Sequence, residues 1–323
     1  MVSAFGREEC SMTTLGPKDL GATALLGRAS GFDVRRSQLD ELLKKQLFFV
    51  GGYFKSGTTW IQLLLDNHPE ASCSGECHLI THLYRTLKAA MEDHNRFLLK
   101  KHAEVFGEIS VRPPNFDEAD LECLVTTGAL LLLDKHRGGK PALAVGEKTP
   151  DNVAFFEVLG RLLPAAKFIH VIRDPRDAAV SGWYHVTRVI PDDTRRHFPT
   201  MFDYLKHFVD GWANFVPMAL EFGARHPKRY AQVLYGKLSA EPEAELSRVL
   251  RFLGVSTDID TVRRCVAATA FDRLSGGRAR GQENRTSLFR KGISGDWRNH
   301  FDEATDRYAI EKAGPLMRRF GFI

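Results

Sequence analysis

A doubly wound parallel α/β sheet is the fold class this sequence predicts, and three observations carry the prediction. Phe48-Phe49-Val50 is an apolar run of strand type that stops at Gly51-Gly52, and helical spacing follows at Trp60, Leu63 and Leu64. Lys167 to Arg173 is a second such strand, leading into Asp174-Pro175, a helix start with proline in the first turn. Tyr230 to Tyr235 repeats the pattern ahead of a helix from Pro242 to Leu253. Strands that alternate with helices build a parallel sheet covered on both faces.

The remaining elements follow in order. Residues 1 to about 30 are small and polar with little periodicity, and are expected to be a loosely ordered lead-in. Residues 31–323 are expected to form one domain, since no repeat, linker or compositional shift divides them. Ser37 to Gln46 reads as a short helix with Leu39, Leu42 and Leu43 on one side. His68-Pro69 stops the helix after the first strand, Ser72 to Gly75 reads as a turn, and Glu76 opens a helical stretch to about Lys101. Arg112-Pro113-Pro114 breaks the chain. Leu121 to His136 is a strongly apolar helix closed by Arg137-Gly138-Gly139, Ala142 to Gly146 is a short buried strand, and a helix runs from Asn152 to Leu163. Thr200 to Arg225 is a long helical region rich in aromatics. A loop rich in glycine and arginine, Ser275 to Gly295, precedes a final helix from Glu303 to Phe320.

With 323 residues, 43% hydrophobic and 26% charged, the chain can bury a full core and is not disordered throughout. A net charge of +5 fits an anionic ligand but argues for neither nucleic acid nor a membrane surface. Of five cysteines, Cys73 and Cys77 have the spacing of a metal pair, yet no second Cys/His pair accompanies them, so no metal is expected. Free thiols, no visible secretory signal and an apolar helix too short to span a bilayer together lead to a cytoplasmic expectation.

The chemistry begins at Lys55-Ser56-Gly57-Thr58-Thr59-Trp60, between the first strand and its helix. Free amides at a helix N-terminus and the helix dipole both favour negative charge, which suits a phosphate. Lys55 adds a mobile cation, and Ser56, Thr58 and Thr59 add hydroxyl donors. The order is not that of the ATPase loop, Gly-x4-Gly-Lys-Ser/Thr, because Lys55 precedes Gly57 and no lysine follows it. It resembles instead the 5′-phosphosulfate loop of sulfotransferases that use 3′-phosphoadenosine 5′-phosphosulfate.

Two further constellations extend the resemblance. Arg173 and Ser181 have the Arg-x7-Ser spacing of that family's 3′-phosphate motif, with Arg173 at the C-terminal end of a parallel strand, where open α/β sheets bind ligands. A guanidinium fork holds a phosphate dianion with two hydrogen bonds. Phe289-Arg290-Lys291-Gly292 through Gly295-Asp296-Trp297-Arg298-Asn299-His300-Phe301 is similar to the third family signature, R-K-G-x-x-G-D-W-K-N-x-F, with Arg298 and His300 as mild departures. The resemblance implies that Arg290, Lys291 and Gly292 close over the 3′-phosphate. It also implies that Phe271, in Thr269-Ala270-Phe271, sandwiches the adenine opposite Trp60, and that Tyr235 touches the adenine edge. The expected fold is then the P-loop nucleotide-kinase-like sulfotransferase fold with helical insertions.

The family members divide by base, some using a histidine deep in the chain and others a glutamate about twenty residues after the phosphate loop. Ser74-Gly75-Glu76-Cys77-His78 and Glu147-Lys148-Thr149-Pro150 resemble segments of the glutamate-using enzymes. Glu76 is therefore the expected base, His78 the runner-up, and Lys55 and Lys148 the cations that steady developing charge. The implied reaction is in-line transfer of a sulfuryl group to an acceptor hydroxyl or amine on a small molecule, lipid, sugar or peptide. The acceptor pocket is expected between residues 79–101, 116–136 and 189–222. The rivals are a nucleotide-dependent phosphotransferase on the same fold and a non-catalytic binder of adenosine 3′,5′-bisphosphate.

Overall fold

The computed structural model describes residues 29–107 and 112–323. Most of the expected lead-in, residues 1–28, and Cys10 within it lie outside the described residues. Five parallel strands, β1 (Gln46–Gly51), β2 (Ala71–Ser74), β3 (Ala144–Lys148), β4 (Lys167–Ile172) and β5 (Tyr230–Leu234), form one sheet in the order β2-β3-β1-β4-β5. The chain leaves β1 for one side, builds β2 and β3 there, then crosses to β4 on the other. The order thus reverses at the β1/β4 boundary, the place where open α/β sheets form a ligand crevice at the strand C-termini.

The helices are α1 (Ala29–Leu43), α2 (Thr58–Asp66), α3 (Arg85–Phe106), α4 (Glu118–Arg137), α5 (Phe156–Leu162), α6 (Pro175–Val189), α7 (Pro191–His197), α8 (Met201–Arg225), α9 (Tyr235–Ala240), α10 (Pro242–Leu253), α11 (Ile259–Ala268), α12 (Phe271–Leu274) and α13 (Glu303–Arg319), and members of this set cover both faces of the sheet. Alternation in β1 decides which residue serves which face. Phe48 and Val50 pack with Ile61 and Leu64 of α2 and Leu246 and Leu250 of α10. Phe49 points the other way, stacks on Phe168 at 5.7 Å, and Phe168 meets Phe222 of α8 edge-on at 4.7 Å. Among the described residues no helix is long and apolar enough to cross a membrane.

Four segments differ from their sequence expectation. α1 starts at Ala29 rather than Ser37, with Arg35 and Arg36, both good helix formers, upstream of its buried anchor Leu42. Ser72 to Gly75, expected to be a turn, overlaps strand β2, Ala71–Ser74, which pairs in register with β3 from Ala71↔Ala144 to Ser74↔Glu147. Its four small residues are all buried, and pairing overrides their weak strand preference. Glu76 does not open a helix: His78 has φ +47°, and a π-helical turn over Leu79–Tyr84 precedes α3. The helix expected from Asn152 to Leu163 is split into a 3-10 turn, Pro150–Ala154, and α5. The Gly52 amide donates to Pro150 O and Asn152 Nδ2 donates to Val50 O, which ties this turn to the end of β1. α7, α9, α11 and α12 had no sequence expectation.

Candidate active site

The loop after β1 is held in an unusual shape. Ser56 N–H donates to Tyr53 O at 3.0 Å, which places Lys55 at φ +62°, a left-handed conformation that costs a residue with a Cβ about 1–3 kcal/mol. Gly57 follows at φ +98°, and a Cβ there would lie 2.5 Å from the Tyr235 ring. No side chain caps α2, so its first amides, those of Thr58 and Thr59 on the cavity wall, stay available for an anion.

Arg173 enters from the end of β4. It donates to Lys55 O at 3.3 Å and Ile293 O at 3.2 Å, and its guanidinium lies over the Tyr235 ring at 4.3 Å. Asp174 caps α6 by accepting the Arg176 N–H and also pairs with the Arg176 side chain, so it serves structure. Asp177, one turn on, accepts Gly295 N–H at 2.6 Å and Trp297 N–H at 3.0 Å, docking the C-terminal loop against α6. Within that loop Gly292 has φ +70° with the Phe271 ring packed where a Cβ would stand. The Arg290 guanidinium pairs with Glu283 and Asp296, and Lys291 with Asp296. These hydrogen bonds hold the Asp296 carboxyl far below the usual carboxylate range despite its burial. Glu283, Asp296 and His300 come close enough together for a metal by distance alone, but Arg290 and Lys291 already occupy their carboxylates.

A cavity of about 500 Å³ opens between these parts. Thr58, Thr59, Trp60, Arg173, Ser181, Tyr235 and Phe271 line it together with Arg290, Lys291 and Gly292, and Lys55, Glu76 and His78 stand on its wall as well. Ser56 and Lys148 sit behind that wall, at 0% and 3% exposure. Among the described residues, Ser56 Oγ, Trp60 Nε1, Arg173 Nε and Arg290 Nε are buried without a hydrogen-bond partner. Orphaned buried polar groups are costly, and four around one cavity fit a ligand that offers several acceptor oxygens.

Three consecutive residues meet three others at the far wall. Lys148 Nζ donates to Glu76 Oε1 at 2.6 Å, Cys77 N–H to Glu147 Oε2 at 3.4 Å, and His78 N–H to Thr149 Oγ1 at 3.3 Å. His78 Nε2 lies 3.5 Å from the other Glu76 oxygen. The Lys55 ammonium is pushed down to about 8 by burial, helped by the neighbouring charges of Arg173, Arg188 and Lys148. His185, four residues past Ser181 and also on the wall, is pushed down to about 4 by burial and then by Lys55 and Arg188, so its imidazole is neutral near pH 7.

A model of the sulfotransferase family matches residues 48–259. The chain belongs to the sulfotransferase family. Sulfotransferases use 3′-phosphoadenosine 5′-phosphosulfate as sulfuryl donor. A chicken protein-tyrosine sulfotransferase 2 is 26% identical over 216 residues, covering 67% of this chain and 53% of that protein. A putative protein-tyrosine sulfotransferase of Caenorhabditis briggsae is 25% identical over 278 residues, covering 86% of this chain and 89% of its own length. The chain thus spans about half the length of the first of these relatives and most of the second. Among solved structures, the mouse sulfotransferase SULT7A1 complexed with PAP superimposes with a TM-score of 0.52 at 20% identity, covering 84% of this chain and 85% of that one. That likeness establishes the fold.

All three sulfotransferase motifs therefore converge on one cavity. None of this cavity's lining residues comes from 79–101, 116–136 or 189–222, the stretches expected to line an acceptor pocket. Those stretches bury Leu121, Leu130, Leu133 and Trp212 in the core but leave Phe97, Leu99, Leu132, Phe215 and Met218 exposed. The wall near Glu76 is instead Phe54, Pro150, Asp151 and His185. Sequence reasoning missed these, though His185 shares the helix face of Ser181 by its spacing of four. It missed Arg280 too, which lies over the Trp60 ring at 5.5 Å, and no local signal in the glycine- and arginine-rich loop marks it.

Proposed function

We propose that this protein transfers the sulfuryl group of 3′-phosphoadenosine 5′-phosphosulfate to an acceptor hydroxyl, with Glu76 as base. The observation that carries the reading is the placement of Lys55, Arg173 and the Lys148–Glu76 pair around one cavity whose wall also holds orphaned Trp60, Arg173 and Arg290 donors, with Ser56 just behind it. The donor supplies an activated sulfuryl group and two phosphate-bearing ends. The 55–59 loop would take its 5′ end, Arg173, Ser181 and Arg290–Gly292 its 3′-phosphate, and Trp60 and Phe271 its adenine.

Each remaining role falls to a residue of this chain. Lys148 holds one Glu76 oxygen and leaves the other facing His78 and the cavity, so that oxygen receives the acceptor proton. Lys55, buried among cations, steadies negative charge as it forms on the departing phosphate. The relatives named protein-tyrosine sulfotransferases make a tyrosyl phenol the first acceptor to test. A phenol suits a carboxylate base better than an aliphatic alcohol, because its pKa is only about 10.

The test is mass spectrometry after incubation with the donor and a panel of a tyrosyl peptide, simple phenols, sugars and lipid alcohols. A sulfuryl mass gain on one panel member is the expected result. Bisphosphate binding without turnover of any member would favour the non-catalytic reading. Magnesium-dependent phosphorylation from ATP would favour the phosphotransferase.

A further inference from the structure

We infer that Glu147 is a positioning residue, a buried carboxylate that, with Thr149, holds the Cys77 and His78 amides and thereby aims the Glu76 carboxylate. The proposal rests on the reading of Glu76 as base. Glu147 has 0% exposure and lies in β3 opposite Ser74 of β2, so it faces the point where the chain leaves β2 for Glu76. Its Oε1 accepts from Asn152 Nδ2 at 2.5 Å, and its Oε2 accepts from Thr149 Oγ1 at 2.7 Å and from Cys77 N–H at 3.4 Å. All three partners donate. A carboxylate that only accepts is the one group that satisfies them together, although burial pushes the Glu147 carboxyl up.

The segment it grips needs holding. Gly75 to His78 lies between β2 and the π-helical turn, with no regular backbone pairing of its own, and His78 is in the left-handed region at φ +47°. Thr149 donates to Glu147 and accepts from His78 N–H at 3.3 Å, extending the grip by one residue. Asn152 joins the same carboxylate to Val50 O at 3.2 Å, at the start of the phosphate loop. One buried group therefore sets the distance between the segment bearing Glu76 and the loop bearing Lys55. That distance must be right for in-line transfer, since a misplacement of about 1 Å costs on the order of 10²-fold in rate.

Glu147→Gln tests the idea, because neither amide orientation fits: one faces Asn152 with a donor, the other faces Cys77 and Thr149 with one. Hydrogen exchange at the Cys77 and His78 amides should quicken by about tenfold or more, while stabilisation by adenosine 3′,5′-bisphosphate stays. Turnover on a tyrosyl peptide should fall by about tenfold or more, and Glu147→Gln combined with Glu76→Gln should be no slower than Glu76→Gln alone. Unchanged exchange overturns the proposal, as do losses that multiply in the double variant. If Glu76→Gln alone keeps normal turnover, the base assignment fails and takes the aiming role with it. If only Glu147→Gln is normal, the base stands and this proposal falls. Thr149→Val, isosteric and neutral, answers the same exchange and additivity questions should Glu147→Gln not fold. Exchange needs no acceptor, so it decides the grip even where the peptide is not sulfated.

Discussion

Asp177 accepts the N–H of Gly295 at 2.6 Å, and this contact joins the second motif to the third. The same carboxylate accepts Trp297 N–H, so one buried side chain fixes both ends of Gly295-Asp296-Trp297. In Asp177→Asn the amide nitrogen would face one of these donors. The stability loss should be about 1–3 kcal/mol by denaturant unfolding. Affinity for adenosine 3′,5′-bisphosphate should fall as well, because Arg290 to Gly292 lose their anchor, while affinity for adenosine 5′-monophosphate should not. A stability loss with unaltered selectivity between the two nucleotides would show that the loop docks without Asp177.

Recognition of the 3′-phosphate can be read without any acceptor. Adenosine 3′,5′-bisphosphate should raise the melting temperature much more than the 5′-monophosphate, since only the former carries the 3′-phosphate proposed to engage Arg173, Ser181 and Arg290. At about a hundredfold excess over its dissociation constant a ligand adds roughly 2.7 kcal/mol of stability. Arg290→Ala should shrink the difference between the two nucleotides. Equal thermal shifts in the wild-type protein would rule out a 3′-phosphate site.

Lys55 makes a prediction about pH. Its ammonium titrates at about 8 in the folded chain against an ordinary 10.5. Below pH 8 it is protonated in both folded and unfolded chains, and folding bears the whole cost of burying that charge. Between about 8 and 10.5 the unfolded chain binds more protons, so this contribution makes stability rise with pH across that window. Lys55→Met should lack the rise. A bound 5′-phosphate favours the ammonium, so calorimetry in buffers of different ionisation enthalpy should show proton uptake on bisphosphate binding just above pH 8. Equal uptake in Lys55→Met would assign the proton to another group.

What the sequence made legible was local. Lys55 to Trp60 is read from spacing, Arg173 from its place at a strand end, and Glu76 from its offset after the phosphate loop; the cavity is lined by all of them but Ser56. What it hid was tertiary. Ala-Ser-Cys-Ser becomes strand β2 only because β3 pairs with it. The pairing of Arg290 with Glu283 and Asp296 depends on how a glycine-rich loop folds back, which no periodicity encodes. Nor did the sequence mark the acceptor wall. Apolar spacing in 121–133 says that a face is buried, not whether it is buried against a sheet or a substrate.

The base is decided by two variants compared on one acceptor. Glu76 Oε1 is held by Lys148 at 2.6 Å, its side chain is 41% exposed, and its second oxygen faces the cavity beside His78. Glu76→Gln keeps size and reach but cannot take a proton, so turnover should fall by roughly 10²–10⁴ with bisphosphate affinity near wild type. His78→Ala should be milder. His78 Nε2 touches Glu76 from 3.5 Å, so its loss removes one neighbour of the base and leaves Lys148 and the backbone grip in place. If His78→Ala is inactive and Glu76→Gln retains near-normal turnover, the histidine takes the proton, and Glu76 serves only to hold Lys148.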